Sequence, residues 1–407
     1  MSAFTESIVE QAALAWFEAL GYTITSGPEI APGEPGEERR TYAAVVLEHH
    51  MRDALARLNP TVSREGLEEA FRKLTRISSP QPVDANRELH DYLVNGVSVE
   101  YLRADGTIGY DPVRVVDFDA PEDNDWLVVN QLTITEDGHN RRPDLLMFLN
   151  GLPFAVIELK NADSENATIW NAFQQLQTYK EQLPSLFVFN ELLVISDGLE
   201  ARIGTLSSNK ERFQPWRTIE GEALVSKSMS QLEVLIRGVF DKRRLLDSAP
   251  LLHRLRGRWR HRHQEDRGAV ARALDATISA SRPQGDRRVG VVWHTQGSGK
   301  SLTMAFYAGR VVLHPAMQNP TLIVLTDRND LDEQLFGTFA RCEDLLRQSP
   351  EQAKDRAHLC ELLKVASGGV VFTTIQKFMP ETWGDMFPQL SARSNIVVVA
   401  DEAHRSQ

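Results

Sequence analysis

Asp144, Glu158 and Lys160 have the residue types and spacing for metal-dependent phosphodiester chemistry. A divalent cation such as Mg²⁺ needs hard oxygen ligands, and hydrolysis needs a group that orients water or neutralises charge on the phosphate. The run Ala155-Val156-Ile157-Glu158-Leu159-Lys160 reads as a strand, whose side chains alternate between faces. Val156, Glu158 and Lys160 then share one face, and Ala155, Ile157 and Leu159 turn into a core. Asp144 and Glu158 would be the metal ligands, with the main-chain carbonyl of Leu159 as a further one. Lys160 would assist the water or offset charge on the phosphate. Downstream, Gln175 and Tyr179 stand one helical turn apart and share a helix face.

A second constellation follows in the run His294-Thr295-Gln296-Gly297-Ser298-Gly299-Lys300-Ser301. An apolar stretch enters it and a helix leaves it, so its backbone N–H groups and the helix dipole can cradle phosphates. Gly297 and Gly299 keep the backbone free to approach the ligand, although His294 stands where the strict pattern has its first glycine. Thr295 to Gly299 would wrap the nucleotide, Lys300 would reach the β- and γ-phosphates, and Ser301 would hold Mg²⁺. Asp401 closes the apolar run 395–400, where it would also hold Mg²⁺, and Glu402 would polarise the attacking water. The cofactors implied are ATP and Mg²⁺.

These residues need an α/β scaffold. Apolar spacing predicts helices over 7–20, 41–58 and 64–74, the first ending at Gly21. Strands are expected at 100–101, 113–118 and 126–135. Asn150-Gly151 predicts a hairpin between 145–149 and 154–160. A helix over 168–182 and a strand over 192–196 complete a first domain, 1–206. Residues 207–284 read as a helical connector in which Arg254, Arg256, Arg258, Arg260 and Arg262 alternate, either as a solvated face or as a DNA or subunit contact. In a third region, 285–407, apolar strands at 289–293, 321–325, 370–373 and 396–400 alternate with helices. That pattern implies a parallel sheet covered on both faces.

Composition excludes little. The 407 residues are 42% apolar and 25% charged, and carry a net charge of −11, the wrong sign for a protein that coats DNA. Cys342 and Cys360 cannot build a disulfide framework, so a cytoplasmic location is expected. The N-terminus carries acids and no basic leader, and no apolar run is long enough to span a bilayer.

Taken in order, Pro143-Asp144, Glu158-Leu159-Lys160, Gln175 and Tyr179 resemble the PD-(D/E)xK nuclease superfamily, in its branch with a trailing Q-x-x-x-Y helix. The resemblance implies that Gln175 and Tyr179 border the active site and contact DNA. It also implies that an acid of the first helix completes the site, Glu10 first and Glu6 second. The gapped phosphate loop with Asp401-Glu402-Ala403-His404 resembles superfamily 2 helicases. Together the halves resemble the R subunit of type I restriction–modification enzymes, supported by Val115-Val116-Asp117-Phe118 and the run from Asp125 to Gln131. The implied fold is a PD-(D/E)xK nuclease domain followed by an incomplete RecA-like parallel-sheet lobe. The implied function is an ATP-dependent endonuclease and translocase on double-stranded DNA, working with methyltransferase (M) and specificity (S) subunits. A repair helicase–nuclease and a non-catalytic docking module are the alternatives. Because the sequence ends just after the acidic cluster, the resemblance also implies an N-terminal portion without the second motor lobe.

Overall fold

Leu145–Leu149 and Leu152–Leu159 carry apolar side chains at nearly every position, so neither face can be left to water. The computed structural model describes residues 6–77, 79, 82–102, 107–160, 169–220, 225, 229–248, 263–282, 284–292, 300–326, 329–340, 342–365, 367–378 and 389–401. The chain divides into two units, Met1–His261 and Arg262–Gln407.

The first unit begins with α1 (Glu6–Ala19), β1 (Thr23–Ser26), α2 (Glu48–Leu58), α3 (Arg64–Thr75), α4 (Pro82–Asn95), β2 (Val97–Leu102) and β3 (Ile108–Val113). Next come β4 (Trp126–Asn130), β5 (Ile134–Glu136), β6 (His139–Arg141), β7 (Leu145–Leu149) and β8 (Leu152–Leu159). It ends with α5 (Ile169–Gln182), α6 (Pro184–Val188), β9 (Leu192–Ser196), β10 (Ala201–Gly204), α7 (Gln231–Val239) and α8 (Lys242–Ser248). Six strands form one mixed sheet in the order β1-β4-β7-β8-β9-β10. β1–β4 and β8–β9 are parallel and the other pairs antiparallel. β7, β8 and β9 are buried throughout, and α5 packs on β8 and β9.

The structure departs from the sequence expectations where backbone groups find tertiary partners. Residues 41–47 are not helical, because Tyr42 O accepts from Thr135 N and Leu47 N donates to Gly151 O at 2.9 Å. The strand expected over 113–118 stops at Val113. The Asp117 carboxylate accepts from the N–H groups of Asp119 and Ala120, closing a turn. The strand expected over 126–135 breaks at Gln131, whose φ of 55° leaves the extended region. The stretch 207–284 is not one connector: α7 packs on α1, and Phe240 stacks edge-to-face on Phe17 at 5.1 Å. The basic run Arg254–Arg262 lies outside the described residues.

The second unit holds α9 (His263–Ser281), α10 (Lys300–Leu313), β11 (Thr321–Thr326), α11 (Asn329–Ala340), α12 (Glu343–Leu346), β12 (Glu351–Gln352), α13 (Arg356–Leu362), β13 (Val370–Thr374) and β14 (Ile396–Ala400). Its sheet is parallel throughout, ordered β12-β13-β11-β14. Phe372 on β13 packs edge-to-face on Phe336 and Phe339 at 5.2 and 5.0 Å. The double cover expected for this sheet does not extend to β14, where Val398 is 55% exposed. Nor do 289–292 form a strand: they join no ladder among the described residues, and Val291 is 86% exposed. Among the described residues no helix is long and apolar enough to cross a membrane.

At the β7–β8 turn, Asn150 and Gly151 have φ of 50° and 78°, as a tight hairpin requires. A Cβ on Gly151 would sit 2.5 Å from Leu47 O and 2.7 Å from Met51 N. Gly151→Ala should therefore cost roughly 2–4 kcal/mol, combining a left-handed backbone with a main-chain clash. Urea unfolding measures this, and a loss below about 1 kcal/mol would mean the turn relaxes freely.

Candidate active site

The ladder registers line up three chain positions at one end of the first sheet. β4 and β7 pair through Asn130↔Leu145, so Gln131 and Asp144 come next, and Gln131 N donates to Asp144 O at 2.9 Å. β7 and β8 pair through Leu145↔Ile157, which brings Asp144 opposite Glu158. Laterally paired residues point to the same face, so one sheet face presents Asp144 and Glu158 together, and the Gln131 amide reaches Asp144 from just past the end of β4. Asp144 Oδ2 accepts from Leu159 N at 2.7 Å, tying the carboxylate to the strand that carries Glu158.

Lys160 Nζ lies 2.8 Å from Glu158 Oε1 and also donates to Leu159 O at 2.8 Å. The carbonyl expected as a metal ligand is thus an acceptor for the lysine. Glu158 is 0% exposed and Asp144 5%. The face expected to emerge from the strand is therefore covered, as the opposite face is. Glu10, on α1, receives Asn130 Nδ2 on one oxygen at 2.7 Å and Gln131 Nε2 on the other at 2.6 Å. Gln131 Nε2 also reaches Asp144 Oδ1 at 3.3 Å.

A cleft of about 560 Å³ opens here, and Glu10, Gln131, Arg142, Asp144 and Gln175 are among its lining residues. Gln175 Nε2 donates to Tyr179 Oη at 2.6 Å. Tyr179 is 2% exposed, and burial together with the charge of Glu158 holds its phenol well above the usual range, fully protonated. Gln175 lines the cleft, whereas Tyr179 is buried. Of the acids expected from the first helix, Glu10 is at the cleft; the side chain of Glu6 lies outside the described residues.

Residues 3–212 match the family described as Type I restriction enzyme R protein N terminus, and residues 267–407 match SWI2/SNF2 ATPase. The chain belongs to the type I restriction enzyme R protein family. It is 39% identical over 99% of its length to the Type I restriction enzyme HindI endonuclease subunit of Haemophilus influenzae, covering 39% of that protein. It is 33% identical over 98% of its length to the Putative type I restriction enzyme MjaIXP endonuclease subunit of Methanocaldococcus jannaschii, covering 40%. The chain thus spans about two fifths of the length of these curated relatives.

Within this R-protein chain the second constellation is partly described. Lys300 begins α10, and its Nζ lies 2.6 Å from Asp401 Oδ1. Asp401 N donates to Leu325 O at 2.8 Å, which fixes it just past the carboxyl end of β14. The carboxyl edge of a parallel sheet is where such folds bind ligands. Ser301 follows in the first turn of α10, half-buried. Thr295, Gln296, Gly297, Ser298, Gly299 and Glu402 lie outside the described residues.

Sequence reasoning did not single out Asn130, Gln131 or Arg142 as site residues. Asn130-Gln131 ends the apolar run Trp126–Val129, and two amides at the end of a buried strand are the signal that was there to read. Arg142 is exposed in the cleft and pairs with no carboxylate among the described residues.

Two stability predictions follow from the charges buried around this site. Lys160→Ala would leave Glu158 without its counter-charge inside the protein, at a cost of roughly 3–5 kcal/mol in denaturant unfolding. A cost under about 1 kcal/mol would mean the carboxylate is solvated. On α5, Lys180 donates to Leu206 O at 2.7 Å, and burial pulls its pKa from 10.5 to about 8. Between those values the unfolded chain holds more protons, so stability rises with pH across that window. Lys180→Met should therefore be more stable than wild type near pH 7, and this advantage should fade towards pH 10.5. An advantage that stays constant with pH would rule out the buried charge as its cause.

Proposed function

We propose that the chain is the nuclease and ATP-binding portion of an ATP-dependent DNA endonuclease subunit, part of a type I restriction–modification enzyme. The observation that carries this reading is the convergence of Glu10, Asp144, Glu158 and Lys160 at one sheet end beside an open cleft. The donor set suits Mg²⁺, since all the acids offer hard carboxylate oxygens. Mg²⁺ keeps several waters and needs only one or two protein carboxylates. Asp144 and Glu158 would hold the ion, with Glu10 as a third acid. When bound, Mg²⁺ would supply Lewis acidity at the phosphate and lower the pKa of a water.

The chain's own residues do the rest. Arg142, exposed in the cleft and paired with no carboxylate among the described residues, draws in a DNA phosphate by charge and not by sequence. Lys160 offsets the negative charge that grows on the phosphate as the bond breaks. Gln175 offers an amide at the cleft wall, and Tyr179 supports it from behind, its hydroxyl oxygen accepting from Gln175 Nε2. In the second unit, Lys300 would leave Asp401 for the β- and γ-phosphates of ATP. Ser301 and Asp401 would then hold its Mg²⁺, with Thr295 to Gly299 around the phosphates and Glu402 polarising water.

The partners proposed are double-stranded DNA and the M and S subunits, in the cytoplasm of a bacterium or archaeon. The motor sets up the cut, and the cut does not drive the motor. In the assembled full-length enzyme, Asp144→Ala should abolish cleavage of a one-site circular DNA while ATP turnover continues. Lys300→Ala should abolish both. Near-normal cleavage by Asp144→Ala would overturn the nuclease assignment, and normal cleavage by Lys300→Ala would overturn the coupling.

A further inference from the structure

We propose that Gln131 is a positioning residue whose side-chain amide holds Glu10 and Asp144 where a divalent cation would otherwise hold them. The inference deepens the metal-dependent nuclease reading and rests on it. Two carboxylates that face each other repel, and the repulsion is relieved by a cation, a shared proton or hydrogen-bond donors. A glutamine amide nitrogen carries two N–H groups, enough for one bond to each acid. Gln131 Nε2 lies 2.6 Å from Glu10 Oε2 and 3.3 Å from Asp144 Oδ1, so a single nitrogen stands between oxygens of both acids. Asn130 Nδ2 takes the other oxygen of Glu10 at 2.7 Å, so Glu10 stays oriented even when Gln131 lets go.

The backbone beneath this amide is fixed. Gln131 has a φ of 55°, a left-handed conformation that residues with a Cβ adopt only when the surroundings impose it. Gly27 supplies part of that constraint. A Cβ there would lie 2.6 Å from Leu132 Cα and 2.7 Å from Gln131 O, and Gly27 N donates to Asn130 O at 2.8 Å. Gln131 N is in turn bound to Asp144 O. A rotation of the side chain would carry the amide out of its half-buried position at the cleft wall. Gln131 thus keeps the two acids at a spacing that one cation can bridge, and it yields that place when the cation arrives. A glutamine that only filled space would have no reason to put its donor group between the acids.

The test uses the 407-residue chain with Mn²⁺ as probe, titrated calorimetrically, and thermal unfolding in EDTA and in Mn²⁺. Asp144→Asn should weaken Mn²⁺ binding, which locates the binding at this site. Gln131→Leu should melt lower than wild type in EDTA, and Mn²⁺ should raise its melting temperature by more than it raises that of wild type. The cation then relieves a repulsion that the amide relieved before. Gln131→Glu keeps the size and adds a third carboxylate, so it should bind Mn²⁺ about ten-fold more tightly while melting lowest in EDTA. If both variants lose the same melting temperature with and without Mn²⁺, and bind it as wild type does, Gln131 is a packing residue and the proposal falls. If wild type takes up no Mn²⁺, or takes it up as Asp144→Asn does, the metal-site reading fails and the proposal falls with it.

Discussion

The register of the β7–β8 hairpin is the constraint on which the first unit's chemistry depends. Side chains on a strand repeat every two residues, so a slip of one position would turn Glu158 to the opposite face and separate it from Asp144. Asn150 prevents that slip. It is 1% exposed, its backbone N–H donates to Asp125 O at 2.9 Å, and its side chain bonds Val115 O, Asn124 and Asp125 N. Gly151 completes the turn with a left-handed φ and a close approach to Leu47 O and Met51 N. The turn is therefore fixed by the structure around it as well as by its own two residues. From it the pairing runs to Phe148↔Pro153, shifts by one residue between Phe148 and Met147, and continues to Leu145↔Ile157, so the turn and this bulge together deliver the two acids to the far end.

At that end the dominant problem is electrostatic. Glu158 has no contact with water, and a carboxylate so placed needs a counter-charge and hydrogen bonds. Lys160 supplies the charge from two residues away on the same strand, a spacing that makes the pair almost independent of the rest of the fold. Asp144 is treated differently: a backbone N–H and a side-chain amide are among its partners. The two acids thus differ in surroundings, and Asp144, at the cleft, is the more accessible. The second unit uses the same device as Lys160 and Glu158, pairing Lys300 with Asp401 at the carboxyl edge of a parallel sheet.

The helices past β10 change the picture of how the chain is organised. Phe17, Tyr22, Trp126 and Phe240 form a chain of edge-to-face aromatic contacts between 5.1 and 5.4 Å. Tyr22 Oη donates to Phe240 O at 2.8 Å. This cluster binds α7 to the helix that carries Glu10, so residues as far as Phe240 help to hold the site's third acid. A boundary drawn at 206 would cut through that packing.

What the sequence determined was local. Apolar runs marked β7, β8, β9 and β13, because strands buried on both faces are built mostly from apolar residues. Asn150-Gly151 marked the hairpin, because few residue pairs tolerate two consecutive left-handed positions. The order Asp144, Glu158, Lys160, Gln175, Tyr179, then Lys300 and Asp401, marked the candidate site residues, because phosphate and metal ions call for those residue types. The tertiary structure decided the rest. Residues 41–47 gave up a helix for bonds to distant backbone, and 289–292 joined no ladder among the described residues despite their apolar pattern. Asn130 and Gln131 joined the site because sheet register set a strand end beside Asp144 and packing brought α1 over it. Glu10 was one acid among several on an amphipathic helix. Only the two amides facing it, more than a hundred residues away in sequence, distinguish it from the others.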